Sequence, residues 1–227
     1  MSTRIMKPPF VLFLGDVHDV LAAKSATGLL YWRPKDCIAQ IRMPDCNVPI
    51  ELPEVDLAEA VRLGAKTFVI GATNSGGKLN PSWHPYILDA INHGLDIASG
   101  LHDRLSDVPE FVAAVNKTGV RLLDLRHTDT PIPKATGLKR EGRRLLTLGT
   151  DCACGKKFTA LATTRDMKVR SIDCTFRATG QTGIMISGEG YALDTIIGDY
   201  IAGAAELLSP ANKRHHWDVI EGQGSIL

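Results

Sequence analysis

From Phe10 to about His127 the apolar positions keep two rhythms in turn: short runs of bulky residues, and longer stretches in which apolar residues return every three or four positions. The short runs predict strands at "FVLFLG" (10–15), "CIAQI" (37–41), "TFVIG" (67–71), "LDIAS" (95–99) and "VRLLDL" (120–125). The longer stretches carry helix punctuation. Asp56, with Glu59 three residues on, forms a capping box ahead of "LAEAVRLG", and Gly64 supplies a left-handed stop. Pro85 suits a first helical turn and Gly94 closes "YILDAINHG"; Pro109 opens "EFVAAVNKTG" in the same way. Strands alternating with helices imply right-handed βαβ units, so residues 1–127 predict a Rossmann-like parallel sheet domain. The segment after the first strand, "LGDVHDVLAAKSATG", lacks G-x-G-x-x-G, which argues against a nicotinamide site. The small polar loop "GATNSGGKLNPSW" (71–83) follows the third strand, where parallel sheets bind ligands; an ordinary flexible connection is equally compatible.

Residues 128–144, "TDTPIPKATGLKREGRR", break the rhythm with prolines and glycines and mark a linker. The basic cluster Lys139, Arg140, Arg143 and Arg144 reads there as a solvated face. A second βα series follows over 145–227: a strand at 145–149, a glycine turn, a helix from about Lys156, and a strand in "VRSIDCTFRATG" (169–180). A long helix from about Ala192 to Leu208 and a strand at "WDVIEG" (217–222) complete it. The fold class is α/β, a Rossmann-like domain followed by a P-loop NTPase-like domain that reads as C-terminally incomplete, since the chain stops just after a strand.

Composition narrows the functions. The 227 residues carry 26 basic and 25 acidic side chains, a formal net charge of +1, so nothing points to nucleic acid. No apolar run reaches the ~20 residues of a membrane span, and Asp16 interrupts the N-terminal one before a signal-peptide core is complete. A cytoplasmic protein acting on a small molecule is expected, and such sheets commonly form homo-oligomers. The five cysteines (Cys37, Cys46, Cys152, Cys154, Cys174) are odd in number and scattered, which argues against a disulfide framework. Cys152 and Cys154 lack the further ligands of a zinc site, the histidines show no ligand spacing, and no metal is expected.

The candidate chemistry centres on "TLGTDCACGKKFTAL" (147–161). A strand–turn–helix with Gly149 before the turn and Gly155-Lys156 after it aims backbone N–H groups and a positive helix end at an anion. The spacing is one residue longer than G-x-x-x-x-G-K-[ST] and matches the longer loop of dethiobiotin synthetase-like P-loop proteins. Gly149, Thr150, Asp151, Cys152, Gly155, Lys156 and Lys157 are therefore the expected cofactor-binding residues. A nucleotide hydrolase needs Ser or Thr after the lysine to hold magnesium; Lys157 stands there instead and favours a magnesium-free polyphosphate such as coenzyme A. Mg-ATP is the cofactor if the protein is instead an ATP-dependent ligase or kinase, and a non-catalytic CoA- or nucleotide-binding module is a further alternative.

Two more segments belong near this loop if the second sheet is parallel. "TFRATGQTGIMISGEG" (175–190) ends in a glycine-rich loop whose Thr179, Gln181 and Thr182 suit substrate binding, with a plain glycine hairpin as the alternative. "DVIEGQGSI" sets Glu221 at a strand end, which ranks it first as general base. Asp199 and Asp194 rank below it; they are five apart and so not on one helical face, and Asp194 also suits an N-cap.

With these residues in place, the chain resembles the D-glutamate N-acetyltransferases of DgcN type, a family long described as a domain of unknown function. The motifs that carry the resemblance are "IGATNSGG" (70–77), "GTDCACGKKFTAL" (149–161), "FRATGQTGIMISGEG" (176–190), "LDTIIGDYIAGAAELL" (193–208) and "EGQGS" (221–225). The resemblance implies acetyl transfer from acetyl-CoA to the amine of D-glutamate, with CoA phosphates in the P-loop and Glu221 accepting the amine proton. Arg177 and the 71–83 loop, with Asn74, are then candidates for the substrate carboxylates. A covalent variant would run through Cys152 or Cys154 at the helix N-terminus.

Overall fold

The computed structural model describes residues 5–151 and 154–224, with only the backbone of Ser75. The chain divides into two compact units, Met1–Arg126 and His127–Leu227.

In the first unit five strands, β1 (Phe10–Phe13), β2 (Cys37–Ile41), β3 (Thr67–Ile70), β4 (Asp96–Ser99) and β5 (Leu122–Asp124), form one all-parallel sheet in the order β2-β1-β3-β4-β5. Every strand expected from the sequence is present. Strands β1 and β3 are buried at every position, as parallel strands covered on both faces require. Helices α1 (Lys24–Trp32), α2 (Leu57–Arg62), α3 (His84–Asn92) and α4 (Pro109–Thr118) connect them. Asp56 accepts the Glu59 N–H at 2.8 Å as the cap predicts, but Glu59 turns its carboxylate to Arg62. Phe13 lies at the centre of the core, stacked on Phe68 at 5.1 Å and edge-on to Trp83 at 5.9 Å.

The strand order reverses between β1 and β3, which opens a crevice at their carboxyl ends. The 71–83 loop that leaves β3 is pinned there. Trp83 is fully buried and donates its indole N–H to Asp16 at 2.9 Å, Asn80 donates to the other Asp16 oxygen at 3.3 Å, and the Leu79 N–H reaches Asp103 at 2.8 Å. Burying the indole is what turns a small polar segment into a fixed one.

The second unit contains β6 (Arg143–Leu146), α5 (Lys156–Val169), β7 (Cys174–Arg177), α6 (Gln181–Ser187), α7 (Gly198–Leu208) and β8 (Trp217–Ile220). Its three strands are parallel in the order β6-β8-β7, so β8 lies between the other two. Three local expectations change. The 175–190 segment is no glycine-rich loop or hairpin beyond β7: it forms α6, started at Gly180 and stopped by left-handed Gly188, because Ile184 and Met185 have a core to enter. The long helix begins only at Gly198, and Asp194 sits before it in a separate 3-10 turn, Leu193–Thr195.

The third change concerns the basic cluster. Arg140 donates to the carbonyls of Ala205, Glu206 and Ser209, and Arg144 to those of Ser209 and Pro210 as well as to the Ser209 hydroxyl. These carbonyls lie in the last turn of α7 and just beyond it, where cations are favoured. Ser209 in turn donates to Asp218, which is buried on β8 and also accepts from Arg177 at 2.8 Å. The preceding segment is held as well, since Thr136 and Gly137 donate their N–H groups to Glu206 at 2.9 Å each.

A Cβ at Gly203 would lie 1.8 Å from the Pro133 carbonyl oxygen. Gly203→Ala, which in an open helix interior would stabilise by about 1 kcal/mol, is therefore expected to destabilise the protein by about 1–3 kcal/mol through overpacking. Gly198, with nothing within 4 Å, is the control at which Ala is tolerated. Urea unfolding of both variants checks the pair, and an unchanged Gly203→Ala midpoint would mean that the segment before β6 does not pack on α7.

Candidate active site

The glycine turn after β6 leads into α5 with Gly155 as its N-cap, at a left-handed φ of 99° that L side chains rarely adopt. No acidic residue occupies the first turn of α5, and Lys156 and Lys157 open it, so the positive end of the helix dipole and two ammonium groups coincide. A Cβ at Gly149 would meet Cys154 Sγ at 2.3 Å, and one at Gly222 would meet the Thr147 carbonyl oxygen at 1.8 Å. The turn is thus closed by glycine on both sides. Lys156 Nζ donates to the Asp151 carbonyl at 2.6 Å and lies 3.7 Å from Cys154 Sγ; Lys157 Nζ sits 5.0 Å over the Phe158 ring. Thr150 and Asp151 are exposed on the turn, and Cys152 lies outside the described residues.

Glu221 follows β8 directly and is buried, with 4% of its surface exposed. One carboxylate oxygen, Oε2, accepts the N–H groups of Thr179 at 3.0 Å and Gly180 at 3.3 Å. Helix α6 packs closely on the carboxylate, since a Cβ at Gly183 would lie 2.3 Å from that oxygen. Burial pushes the Glu221 pKa above the ordinary carboxylate value; the Thr179 N–H, the charge of Lys157 and the Gly180 N–H pull against it. The result is a carboxylate made more basic than usual beside the lysines of the turn.

Thr147, which the sequence did not single out, ties the two parts together. Its hydroxyl donates to the Ile220 carbonyl at 3.3 Å and accepts the Gly222 N–H at 3.1 Å. No motif flags it, because its role exists only once β6 and β8 are paired.

The other candidates divide by burial. Thr179 is turned inward: its N–H goes to the Glu221 carboxylate and its hydroxyl to the Glu221 carbonyl at 2.7 Å. Thr182 is buried and Gln181 half-buried at the start of α6. Arg177 is engaged by Asp218 and lies 3.6 Å from Glu189. Asp194 and Asp199 are both exposed. Asn74 belongs to the first unit, where its Oδ1 is buried with no hydrogen-bond partner. Among the described residues no group of three or more His, Cys, Asp or Glu side chains could hold a metal ion, and no helix is long and apolar enough to cross a membrane. Of the thiols, Cys37 is buried and pushed up to about 12, mainly by that burial, whereas Cys154 is exposed.

Comparisons with known proteins match the whole arrangement. Residues 41–128 match the N-terminal Rossmann-like domain, and residues 132–227 the C-terminal P-loop domain, of DUF1611, a domain of unknown function. A D-glutamate N-acetyltransferase from a Pseudoalteromonas species is 49% identical over 221 residues, which are 97% of this chain and 67% of that protein. One from Tritonibacter scottomollicae is 48% identical over 222 residues, 98% of this chain and again 67% of the relative. The crystal structure of a DUF1611 family protein from Anabaena variabilis superposes with a TM-score of 0.83 at 29% identity, covering 97% of this chain and 67% of that one. The chain thus spans about two thirds of the length of each.

The raised Glu221 pKa fixes the sign of a pH effect. A folded-state pKa above the unfolded one favours folding fully below the unfolded value, and that advantage is lost as pH rises through the folded value. Glu221→Gln keeps an acceptor for the Thr179 and Gly180 N–H groups and removes the charge. The variant is therefore expected to match the wild type in stability at pH 4 and to exceed it at pH 8. Urea midpoints across that range check this, and a variant less stable at pH 8 would mean that the ionised carboxylate is favoured by its surroundings.

Proposed function

The chain belongs to the DUF1611 family, and from that premise we propose that it is an N-acetyltransferase acting on the amine of D-glutamate with acetyl-CoA as donor. The observation that supports this reading is the buried Glu221 carboxylate, raised in pKa and within the electrostatic reach of a phosphate-type cradle that carries Lys157. The relatives' names supply D-glutamate and acetyl transfer. The donor and the use of the P-loop are our own reading.

The cradle fits a CoA polyphosphate by charge and by backbone. Lys156 and Lys157 supply two cations, α5 opens with no side-chain cap at its N-terminus, and Gly155 has nothing within 4 Å of the position a Cβ would take. In the reaction the neutral amine nitrogen attacks the thioester carbonyl carbon, forming C–N while the carbonyl becomes an oxyanion. The oxyanion then collapses, the C–S bond breaks, and CoA leaves as thiolate. Glu221 takes the proton that the amine loses; a carboxylate of raised pKa is a stronger base for that step than an exposed one. Loop N–H groups are the donors available to the oxyanion.

Steady-state kinetics and calorimetry test the assignment. Lys156→Ala is expected to weaken acetyl-CoA binding at least about tenfold, since the lysine meets the phosphates as a point charge. Glu221→Gln is expected to lower kcat by roughly 10²–10⁴ with acetyl-CoA binding kept, the usual contribution of a general base. Metal-dependent ATP binding with no acetyl-CoA signal would replace the reading with a nucleotide-dependent one. Ping-pong kinetics with a trapped acetyl-cysteine would move the chemistry to a thiol.

A further inference from the structure

We propose that Thr147 is a positioning residue for Glu221: its hydroxyl fixes the main chain on both sides of the carboxylate, so that Oε2 stays on its two N–H donors and Oε1 is left for the substrate. That Oε1 meets an amine rests on the acetyltransferase reading; the hold on the carboxylate does not. Thr147 follows β6 directly and is buried. Its own N–H donates to the Ile220 carbonyl at 3.1 Å, which carries the β6–β8 ladder past the strand end with no help from the side chain. The hydroxyl adds what the ladder lacks. It accepts the Gly222 N–H at 3.1 Å while donating to the same Ile220 carbonyl at 3.3 Å.

From the Ile220 carbonyl to the Gly222 N–H, every main-chain polar group around Glu221 has a partner. The Glu221 N–H donates to the carbonyl of Arg177 on β7 at 3.0 Å, and the Glu221 carbonyl accepts the Thr179 hydroxyl at 2.7 Å. Thr147 supplies the rest from the β6 side. The side chain is seated by the same neighbours, since Oε2 accepts the N–H groups of Thr179 and Gly180. Among the described residues Oε1 accepts no hydrogen bond. Without the Thr147 hydroxyl the Gly222 N–H, next to Glu221 in the chain and buried, would lose its acceptor. A buried N–H left unpaired is costly enough to shift the main chain around it.

The effect of the hydroxyl is separable from that of the ladder. With the hydroxyl removed, the Thr147 N–H bond, Lys156 and Lys157 all remain, so the cradle keeps its charge. What loosens is the seat of the carboxylate. The Thr179 and Gly180 N–H groups pull the proton affinity of Glu221 down against its burial, and a carboxylate that slips from them ionises at higher pH. A misplacement of about 1 Å in a reacting group can cost roughly 10²-fold in rate. A role in packing alone would lower stability and leave the titration of Glu221 where it is.

Amide exchange and steady-state kinetics on the full chain, with Thr147→Val and Thr147→Ser, test the proposal. In the wild type the Gly222 amide is expected to be protected from exchange. Thr147→Val is expected to lower kcat by roughly 10–10²-fold with the KM for acetyl-CoA within about twofold, and to move the acid limb of the kcat profile to higher pH. Thr147→Ser keeps the hydroxyl and is expected to restore both. An unprotected Gly222 amide overturns the proposal even where Thr147→Val fails to fold. A folded Thr147→Val protein with wild-type kcat and an unmoved limb also overturns it, as does a Thr147→Ser protein as impaired as Thr147→Val. If the wild type transfers no acetyl group, the acetyltransferase reading fails by itself, and an NMR titration of the Glu221 carboxyl decides the positioning role. A midpoint raised in Thr147→Val upholds that role, and an unchanged one ends it.

Discussion

The burial of one carboxylate, that of Glu221, organises the second unit. Removing a charge from water is expensive unless nearby groups compensate for it. Here the compensation is two backbone N–H groups and a more distant ammonium, and every neighbour is chosen to permit it. Gly183 lets α6 approach Oε2, Gly180 offers an N–H at the start of α6, and Thr179 gives both its N–H and its hydroxyl to Glu221. The flanking Gly222 is equally constrained, because the P-loop backbone at Thr147 leaves no room for a side chain. Gly180 and Gly183 are thus the imprint of close packing around a charge, whereas Gly188 serves as the left-handed stop of α6.

Asp218, three residues earlier and within β8, shows the contrast. It too is buried, but it meets the Arg177 guanidinium and the Ser209 hydroxyl, and through Ser209 it joins the arginines that cap α7. A carboxylate neutralised by direct ion pairing is a structural element, costly to break on either side. Among the described residues Glu221 has no such direct cation, and burial raises its proton affinity. Strand β8 and the residue that follows it therefore carry two buried acids that differ in environment, one ion-paired and one held by backbone N–H groups.

Much of this was legible in the sequence, and the limits follow from range. Strands β1 to β5, the Asp56 cap and the stop at Gly94 are local signals, so runs and punctuation revealed them. The strand–turn–helix with its strand at 145–149 and helix from about Lys156, and the strand-end position of Glu221, came from the same reasoning, although β6 lies at Arg143–Leu146 and so begins inside the expected linker. What escaped depends on contacts far along the chain. Arg140 and Arg144 look like a solvated cluster until α7 delivers its carbonyls some 65 positions later. Thr147 and Thr179 gain meaning only when β8 sits between β6 and β7. Helix α6 looked like a loop because Gly183 within it and Gly180 and Gly188 at its ends weigh against helix in any local scale, and burial of Ile184 and Met185 outweighs that preference.

The turn before α5 also constrains what can bind there. Lys156 already donates to the Asp151 carbonyl, so a phosphate arriving at the ammonium exchanges a neutral acceptor for a charged one. The bond to the carbonyl is already charge-assisted through the ammonium, and a phosphate adds direct attraction between opposite charges, which makes the exchange favourable. Lys157 stands where a hydroxyl would hold magnesium in a nucleotide hydrolase, and its charge is felt at Glu221. A single residue thus adds positive charge to the cradle, takes away a metal ligand and lowers the proton affinity that burial raises in the base. In the proposed reading the first two effects favour an anionic ligand bound without a metal, and the third tempers the basicity that burial confers on Glu221.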